Sequence, residues 1–154
     1  VDTSVVGGCL DEEFSEHSRR LLQAARDQRV TLLISSVVLD ELAGAPAEVV
    51  SQLQDVPPAA IENTPVNKEV IGLRNAYLQA GILGPRWEDD ATHVAAATVA
   101  GADAIVSWNF KHIVRLDKIK AYNQINLLNG YGVLTIVTPK EVVFDELEED
   151  DKEL

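Results

Sequence analysis

Four polar side chains from distant parts of the sequence have the types and placement of a metal-binding site. Asp2, Glu41 and Asp90 carry carboxylates, and Asn109 carries a neutral amide oxygen. Each follows an apolar segment or opens a helical one, and such positions meet at the carboxyl edge of a parallel sheet. Three carboxylates at one edge repel one another unless a cation neutralises them. The donors are hard oxygens, so Mg²⁺ or Mn²⁺ is the expected ion.

Each of these residues also has an ordinary structural interpretation. Glu41 stands next to Asp40, and acids on a solvated helix face are common. Asp90 follows Asp89, and either acid would stabilise the N-terminus of a helix. Asn109 is a residue type that often hydrogen-bonds the backbone of a turn. The metal-site hypothesis therefore depends on the whole set rather than on any one member.

Further polar residues lie next to this set. Ser4 stands two residues after Asp2, where its hydroxyl is expected to orient the carboxylate or a bound water. Lys111 is a candidate for binding the substrate phosphate. His112 either contacts that phosphate together with Lys111 or lies in a solvated loop. His93 shares a helix face with the acid three residues before it. For His93 a structural hydrogen bond is favoured over a role as metal ligand.

Apolar segments of strand length alternate with helical patterns along the sequence. The predicted strands are 1–6, 31–35, 103–107 and 134–137, with a possible edge strand at 60–65. The predicted helices are 11–29, 36–42, 46–55, 67–83, 87–100, a segment from 114 or 118 to 128, and 139–143. Strands that are apolar throughout and joined by helices predict a three-layer α/β/α sandwich with a central, mainly parallel sheet.

The composition excludes several classes of protein. Of 154 residues, 46% are hydrophobic, which is enough to build a core and argues against wholesale disorder. No apolar run approaches the roughly 20 residues of a membrane span. The single cysteine, Cys9, rules out an internal disulfide and favours a reducing compartment. The formal net charge of −12 argues against a broadly basic nucleic-acid binder.

The negative charge is unevenly distributed. Residues 145–153 contain seven acids and one lysine, so about half of the net charge lies there. Such a run is typical of a disordered, solvating tail. We therefore expect one domain at 1–143 and an acidic tail at 144–154. The sequence opens in an apolar segment without Met, which favours missing residues before Val1, and the absence of a visible leader favours a cytoplasmic location.

Several segments taken together resemble the PIN domain family, and within it the VapC-type toxin ribonucleases. These segments are VDTSVV, SSVVLDEL, DDATHVAAA, GADAIVSWNFKHI and GYGVLTIVTPKEVV. The resemblance extends to about Val143 and is most specific from Asp90 to Ile113, where order and spacing both match. The WNFKHI form resembles that of a subgroup of the family.

The resemblance implies a metal-dependent endoribonuclease acting on RNA. Asp2, Glu41 and Asp90 match the family's metal-binding acids, and Ser4 matches a polar partner of the first. Asn109 stands where the family often has a fourth acid, which lowers the charge of the site. A bound metal would lower the pKa of its water and supply hydroxide at neutral pH. The resemblance also implies a cognate antitoxin protein and a homodimer.

Three other functions compete with this hypothesis. A PIN fold that has lost cleavage would act as an RNA- or protein-binding module, which Asn109 and the acidic balance favour. A haloacid-dehalogenase-like phosphatase needs a second Asp where Ser4 stands. A response-regulator receiver needs a phosphate-accepting Asp after its middle strand, which this sequence lacks. The binding module is therefore the main alternative to the ribonuclease.

Overall fold

The computed structural model describes residues 1–142, which form helices, four short strands and three 3₁₀ turns. The helices are α1 (Thr3–Gly8), α2 (Ser15–Arg26), α3 (Ser36–Ala43), α4 (Ala47–Gln54), α5 (Lys68–Gln79), α6 (Glu88–Val99) and α7 (Leu116–Leu128). The strands are β1 (Leu32–Ser35), β2 (Ile61–Thr64), β3 (Ala104–Val106) and β4 (Thr135–Val137). The 3₁₀ turns are Pro58–Ala60, Pro85–Trp87 and Pro139–Glu141.

The strands form two parallel pairs. β1 pairs with β2, with Leu32 opposite Ile61, and β3 pairs with β4, with Ala104 opposite Thr135. Helices connect the two strands of each pair, as parallel pairing requires. The predicted mixed α/β class with parallel strands is confirmed.

The predicted first strand at 1–6 is wrong, because Thr3–Gly8 form helix α1. Val5 and Val6 are each 0% exposed, so this apolar run is buried by helix packing rather than by pairing in a sheet. β-Branched residues favour strands only weakly, and packing against the rest of the molecule overrides that preference. Asp2 remains extended, with φ −95° and ψ 175°.

Val1 and Asp2 lie between the two strand pairs. The Val1 nitrogen donates to the Leu33 carbonyl oxygen at 3.2 Å, and the Asp2 N–H donates to the Val106 carbonyl oxygen at 3.4 Å. Leu33 belongs to β1, and Val106 is the last residue of β3. The backbone at 1–2 therefore connects the two pairs and places Asp2 at the carboxyl end of β3.

The chain passes from β1 into α3 without a loop. Ser35 ends β1, and its Oγ accepts a hydrogen bond from the Val38 N–H at 3.4 Å, which caps the helix. Helix α3 therefore begins at the carboxyl end of β1 and presents Glu41 about one and a half turns later.

The other predicted elements are found with shifted ends, except that a 3₁₀ turn, Pro139–Glu141, stands where a helix was predicted at 139–143. Helix α2 begins four residues later than predicted, because Asp11 Oδ1 accepts hydrogen bonds from the N–H groups of Glu13 and Phe14 at 2.8 and 3.3 Å. Such an Asp-centred turn replaces the first helical turn. The predicted edge strand at 60–65 is confirmed as β2.

Helix α6 is buried on several sides and packs beside α5. Ala91, Val94 and Ala95 are each 0% exposed and belong to the largest group of core side chains. Small alanine side chains let the helix approach its neighbours closely. In the same group the rings of Tyr77 and Tyr122 meet edge to face, with centroids 4.9 Å apart. This core fixes the N-terminal turn of α6, which carries Asp90.

Two further predictions concern the chain as a whole. Among the helices of residues 1–142, none has both the length and the apolar character of a transmembrane span. The predicted acidic tail at 144–154 lies outside the described residues. The division into one domain and a tail therefore stays a prediction.

Candidate active site

Asp2 is a buried carboxylate, 4% exposed, that two serine hydroxyls hold in place. Ser4 Oγ donates to Asp2 Oδ1 at 2.6 Å, and Ser107 Oγ donates to Asp2 Oδ2 at 2.7 Å. Because both oxygens are engaged, the carboxylate has one defined orientation.

The same two serines also bind the backbone that follows β3. The Trp108 N–H donates to Ser4 Oγ, and the Asn109 N–H donates to Ser107 Oγ, each at 2.9 Å. Each hydroxyl therefore donates to Asp2 and accepts from the chain at 108–109. This arrangement joins the start of α1 to the carboxyl end of β3.

Asn109 shapes the turn that leads away from β3. Its Oδ1 accepts hydrogen bonds from the N–H groups of Lys111 at 3.2 Å and His112 at 2.9 Å. These are the contacts of a turn-forming Asn, one of the two roles considered from the sequence. The turn brings the His112 ring toward α6.

Asp90 lies in the first turn of α6 and contacts His112. Asp90 Oδ2 is 2.7 Å from His112 Nδ1, and the two side chains are 22% and 10% exposed. A carboxylate only accepts hydrogen bonds, so Nδ1 is assigned as the protonated nitrogen. The other face of this contact is aromatic, because the His112 and Trp87 rings lie 4.3 Å apart.

Glu41 on α3 contacts His93 on α6. Glu41 Oε1 is 2.7 Å from His93 Nε2, so the hydrogen-bonding role predicted for His93 is confirmed. The hydrogen bond from His93 holds the pKa of Glu41 below its ordinary value, against the opposite effect of partial burial.

A continuous path of hydrogen bonds joins Asp2 to Asp90. It runs from Asp2 to Ser107, from Ser107 to the Asn109 backbone, from Asn109 Oδ1 to the His112 backbone, and from the His112 ring to Asp90. The segment at 107–112 therefore positions both acids. The predicted acids come from separate parts of the sequence, and the segment after β3 connects two of them.

A comparison with protein families assigns the chain to a family. The family model described as PIN domain matches residues 1–111. The chain belongs to the PIN domain family. PIN domains are generally nucleases, and therefore hydrolases. No curated protein and no solved structure matches the chain.

The matched segment of this PIN domain contains every predicted site residue. These are Asp2, Ser4, Glu41, Asp90, Asn109 and Lys111. His112, which contacts Asp90, follows the matched segment directly. The family assignment therefore applies to the part of the chain in which the acids lie.

The donor chemistry of the PIN domain fits a hard divalent ion, because its acids offer carboxylate oxygens. Within residues 1–142, however, no three Asp, Glu, His or Cys side chains form a group that could hold a metal ion. Each predicted acid is instead hydrogen-bonded by serine or histidine. The residues thus fit a metal by type, and a bound ion would replace contacts that histidines now make.

Ser4 was predicted as a partner of Asp2, and its hydrogen bond confirms this, but the other partners of the three acids were not apparent from the sequence. Ser107 is 105 residues from Asp2, and His93 is 52 residues from Glu41. Spacing along one helix or strand carries no information about such contacts. The one usable signal was position, because Ser107 directly follows β3 and so lies at the same sheet edge as Asp2.

Proposed function

We propose that this PIN domain is an Mg²⁺- or Mn²⁺-dependent endoribonuclease that hydrolyses phosphodiester bonds in RNA. The observation that supports the proposal is the hydrogen-bonded path that positions Asp2 and Asp90 at the carboxyl end of β3. Glu41 is attached to the same helix as Asp90 through its contact with His93. Membership of the PIN domain family supports nuclease activity, whereas the metal ion and the RNA substrate are part of the proposal.

In this mechanism Asp2, Glu41 and Asp90 would hold the ion. Once bound, a divalent ion supplies a water of lowered pKa and screens the charge of the phosphodiester. Ser4 and Ser107 keep the Asp2 carboxylate in one orientation by donating to its two oxygens. Preorganised ligands lose little freedom on binding, so this orientation favours binding of the ion.

The two histidines hold the other acids before the ion binds. His112 Nδ1 donates to Asp90 Oδ2, and His93 Nε2 donates to Glu41 Oε1. Asn109 contributes through the turn that places His112, and its neutral side chain adds no charge to the site. These contacts compensate the acids for the water they lose on burial.

Replacing single acids tests the proposal. Asp2→Asn and Asp90→Asn should each lower the rate of metal-dependent RNA cleavage by about a hundredfold or more. Asp89→Asn is the matched control, because Asp89 is the exposed neighbour of Asp90 and should be dispensable. Circular dichroism checks that each variant is folded. Full cleavage by the folded Asp2 or Asp90 variant would disprove the site assignment.

The more specific part of the proposal is that the chain is the toxin of a type II toxin–antitoxin pair. Its support is the WNFKHI segment and the resemblance to VapC-type toxins. The partners would be an antitoxin that covers the acidic site with Arg- or Lys-bearing residues, and a second copy of the chain. Production of the chain in bacteria should arrest growth, whereas the Asp90→Asn variant should not. Light scattering should give about twice the chain mass of 16.8 kDa.

Two features favour the alternative of a binding module without nuclease activity. The carboxylates of Glu41 and Asp90 are already hydrogen-bonded to histidines, and Asn109 stands where the family often has an acid. Calorimetric titration with Mn²⁺, followed by a cleavage assay, separates the two functions. Metal binding together with cleavage supports the nuclease. RNA binding without either result supports the module.

A further inference from the structure

A pocket of about 350 Å³ opens beside Asp90 and is basic, although the chain carries a formal net charge of −12. Its charged or ionisable lining residues are Lys111, His112, Arg115 and Lys118, and no acid of residues 1–142 lines it. The pocket shares His112 with the candidate active site, since this ring contacts Asp90 at 2.7 Å. A ligand in the pocket therefore lies next to the acid.

The cations of the pocket differ in how far they are neutralised. Arg115 makes two hydrogen bonds to Asp117, at 2.7 and 2.9 Å, which offset its charge. Lys118 Nζ donates to the Ile82 carbonyl oxygen at 2.5 Å and forms no ion pair with a carboxylate of residues 1–142. Lys111 Nζ lies 5.4 Å from the centre of the Trp87 ring, and no carboxylate of residues 1–142 pairs with it. Lys111 and Lys118 thus retain positive charge for an anion.

Trp87 adds an aromatic surface to the same pocket. Its ring is partly buried, lies 4.3 Å from the His112 ring, and has the Arg86 guanidinium 5.0 Å from its centre. Cations near an indole combine charge with a flat apolar surface. That combination binds the phosphate and the base of an unpaired nucleotide together.

We propose that this pocket binds one nucleotide of single-stranded RNA beside the bond to be cut. Lys111 and Lys118 contact its phosphate, and Trp87 stacks on its base. A base within a duplex is not free to stack on a side chain, so the pocket selects unpaired RNA. The inference rests on the proposed ribonuclease function for its substrate, but the binding itself requires no cleavage.

Binding measured in EDTA tests the pocket separately from the nuclease. The probe is a fluorescein-labelled single-stranded RNA oligonucleotide followed by anisotropy at several salt concentrations. Lys111→Gln should weaken binding about three- to tenfold at low salt and reduce the salt slope by about 0.7. Lys68→Gln is the matched control, because Lys68 is exposed at the opposite end of α5 from the pocket, about 16 Å away along the helix.

Stacking of the RNA base on Trp87 is tested separately, with variants of Trp87 and with an oligonucleotide that lacks the base. Trp87→Leu should weaken binding about fivefold or more, whereas Trp87→Phe should retain most of the affinity. An abasic oligonucleotide of equal length should bind wild type and Trp87→Leu alike. Duplex RNA should bind more weakly than the single strand.

The outcomes distinguish the pocket from the nuclease. Equal effects of Lys111→Gln and Lys68→Gln, no measurable RNA binding, or a preference for duplex would overturn the pocket. RNA binding that depends on the pocket residues, without metal-dependent cleavage, would support the proposed pocket and contradict the proposed nuclease function. Cleavage with no effect of the pocket variants on RNA affinity would support the nuclease function and contradict the pocket.

Discussion

His112 Nδ1 lies 2.7 Å from Asp90 Oδ2, and this contact joins the turn after β3 to the first turn of α6. The His112 residue as a whole is 7% exposed, and the hydrogen bond to Asp90 compensates for the water that Nδ1 loses. The Tyr122 hydroxyl donates to the His112 carbonyl oxygen at 2.8 Å, and the Trp87 ring lies against the imidazole. Asp90 is therefore held by His112, whose backbone is bound by Tyr122 and whose ring contacts Trp87.

The contact should be measurable as a coupling free energy. His112→Ala should lower the free energy of unfolding by about 2–4 kcal/mol, because it removes a buried ring and leaves Asp90 without its partner. Asp90→Asn should cost less in the His112→Ala background than in wild type. The double-mutant cycle, measured by urea unfolding, should give a coupling of about 1 kcal/mol.

A control cycle mutates Asp89, the neighbour of Asp90, in place of Asp90 itself. Asp89 is exposed, so Asp89→Asn combined with His112→Ala should show additive effects within about 0.5 kcal/mol. A coupling of zero between Asp90 and His112 would show that their hydrogen bond contributes nothing to stability. Far-ultraviolet circular dichroism should report the same helix content for all four proteins of the cycle.

Ser107 should be more important for stability than a typical serine. Ser107→Ala removes the donor to Asp2 Oδ2 and the acceptor of the Asn109 N–H, leaving two polar groups in the interior without their partner. We expect the free energy of unfolding to fall by about 1–3 kcal/mol in urea titrations. Ser51→Ala removes only an exposed bond within α4 and should change stability by less than about 0.5 kcal/mol. Equal effects of the two substitutions would contradict the role assigned to Ser107.

The fold class could be predicted because its signals are local. Apolar runs at 31–35, 103–107 and 134–137 each became one strand, and helical patterns between them became helices. The segment at 1–6 has the same β-branched character but forms helix α1 in the structure. Its conformation is decided by packing of Val5 and Val6 into two core clusters, which are made by distant residues and leave no trace in the local pattern.

The candidate site could be predicted only in outline. The positions of Glu41 and Asp90 followed from helices that the sequence marks, whereas Asp2 was assigned to a strand that is helix α1 in the structure. Apart from Ser4, their hydrogen-bond partners could not be predicted, because contacts such as His112 with Asp90 join segments that no periodicity relates. The basic pocket was also visible only as scattered cations, since the turn at 109–112 is what brings Lys111 and His112 beside Trp87.

Gly8 is required by a close approach inside the molecule. A Cβ at this position would lie 2.6 Å from Ser18 Oγ and 2.8 Å from Trp108 Nε1, two atoms that are hydrogen-bonded to each other at 2.7 Å. Gly8→Ala should therefore lower the free energy of unfolding by about 1–3 kcal/mol and change the Trp108 fluorescence.

Gly7 provides the matched control for this substitution, because it lies in the same helix. A Cβ there would meet no atom within 4 Å, so Gly7→Ala should raise stability by up to about 1 kcal/mol through helix propensity. Thermal unfolding of both variants is the measurement. If Gly8→Ala were as stable as Gly7→Ala, the contact of α1 with Trp108 would differ from the one described.

The Glu41–His93 contact should make stability depend on pH. The folded-state pKa of Glu41 lies below its ordinary value of 4.5, mainly because of the hydrogen bond from His93. A lowered carboxyl pKa stabilises the fold above the unfolded-state value, and this contribution is lost as pH falls through the folded-state value. The Glu41 side chain is 38% exposed, so solvent screening keeps the effect at about 1 kcal/mol or less.

Urea unfolding of wild type and Glu41→Gln between pH 7 and pH 3 measures this contribution. Wild type should be more stable at pH 7, and the difference should shrink below about pH 4.5 because protonated Glu41 no longer differs from Gln in charge. Asp40→Asn changes an exposed neighbour with the same loss of charge and should show no such dependence. A difference that stays constant down to pH 3 would mean that His93 does not stabilise the ionised form of Glu41.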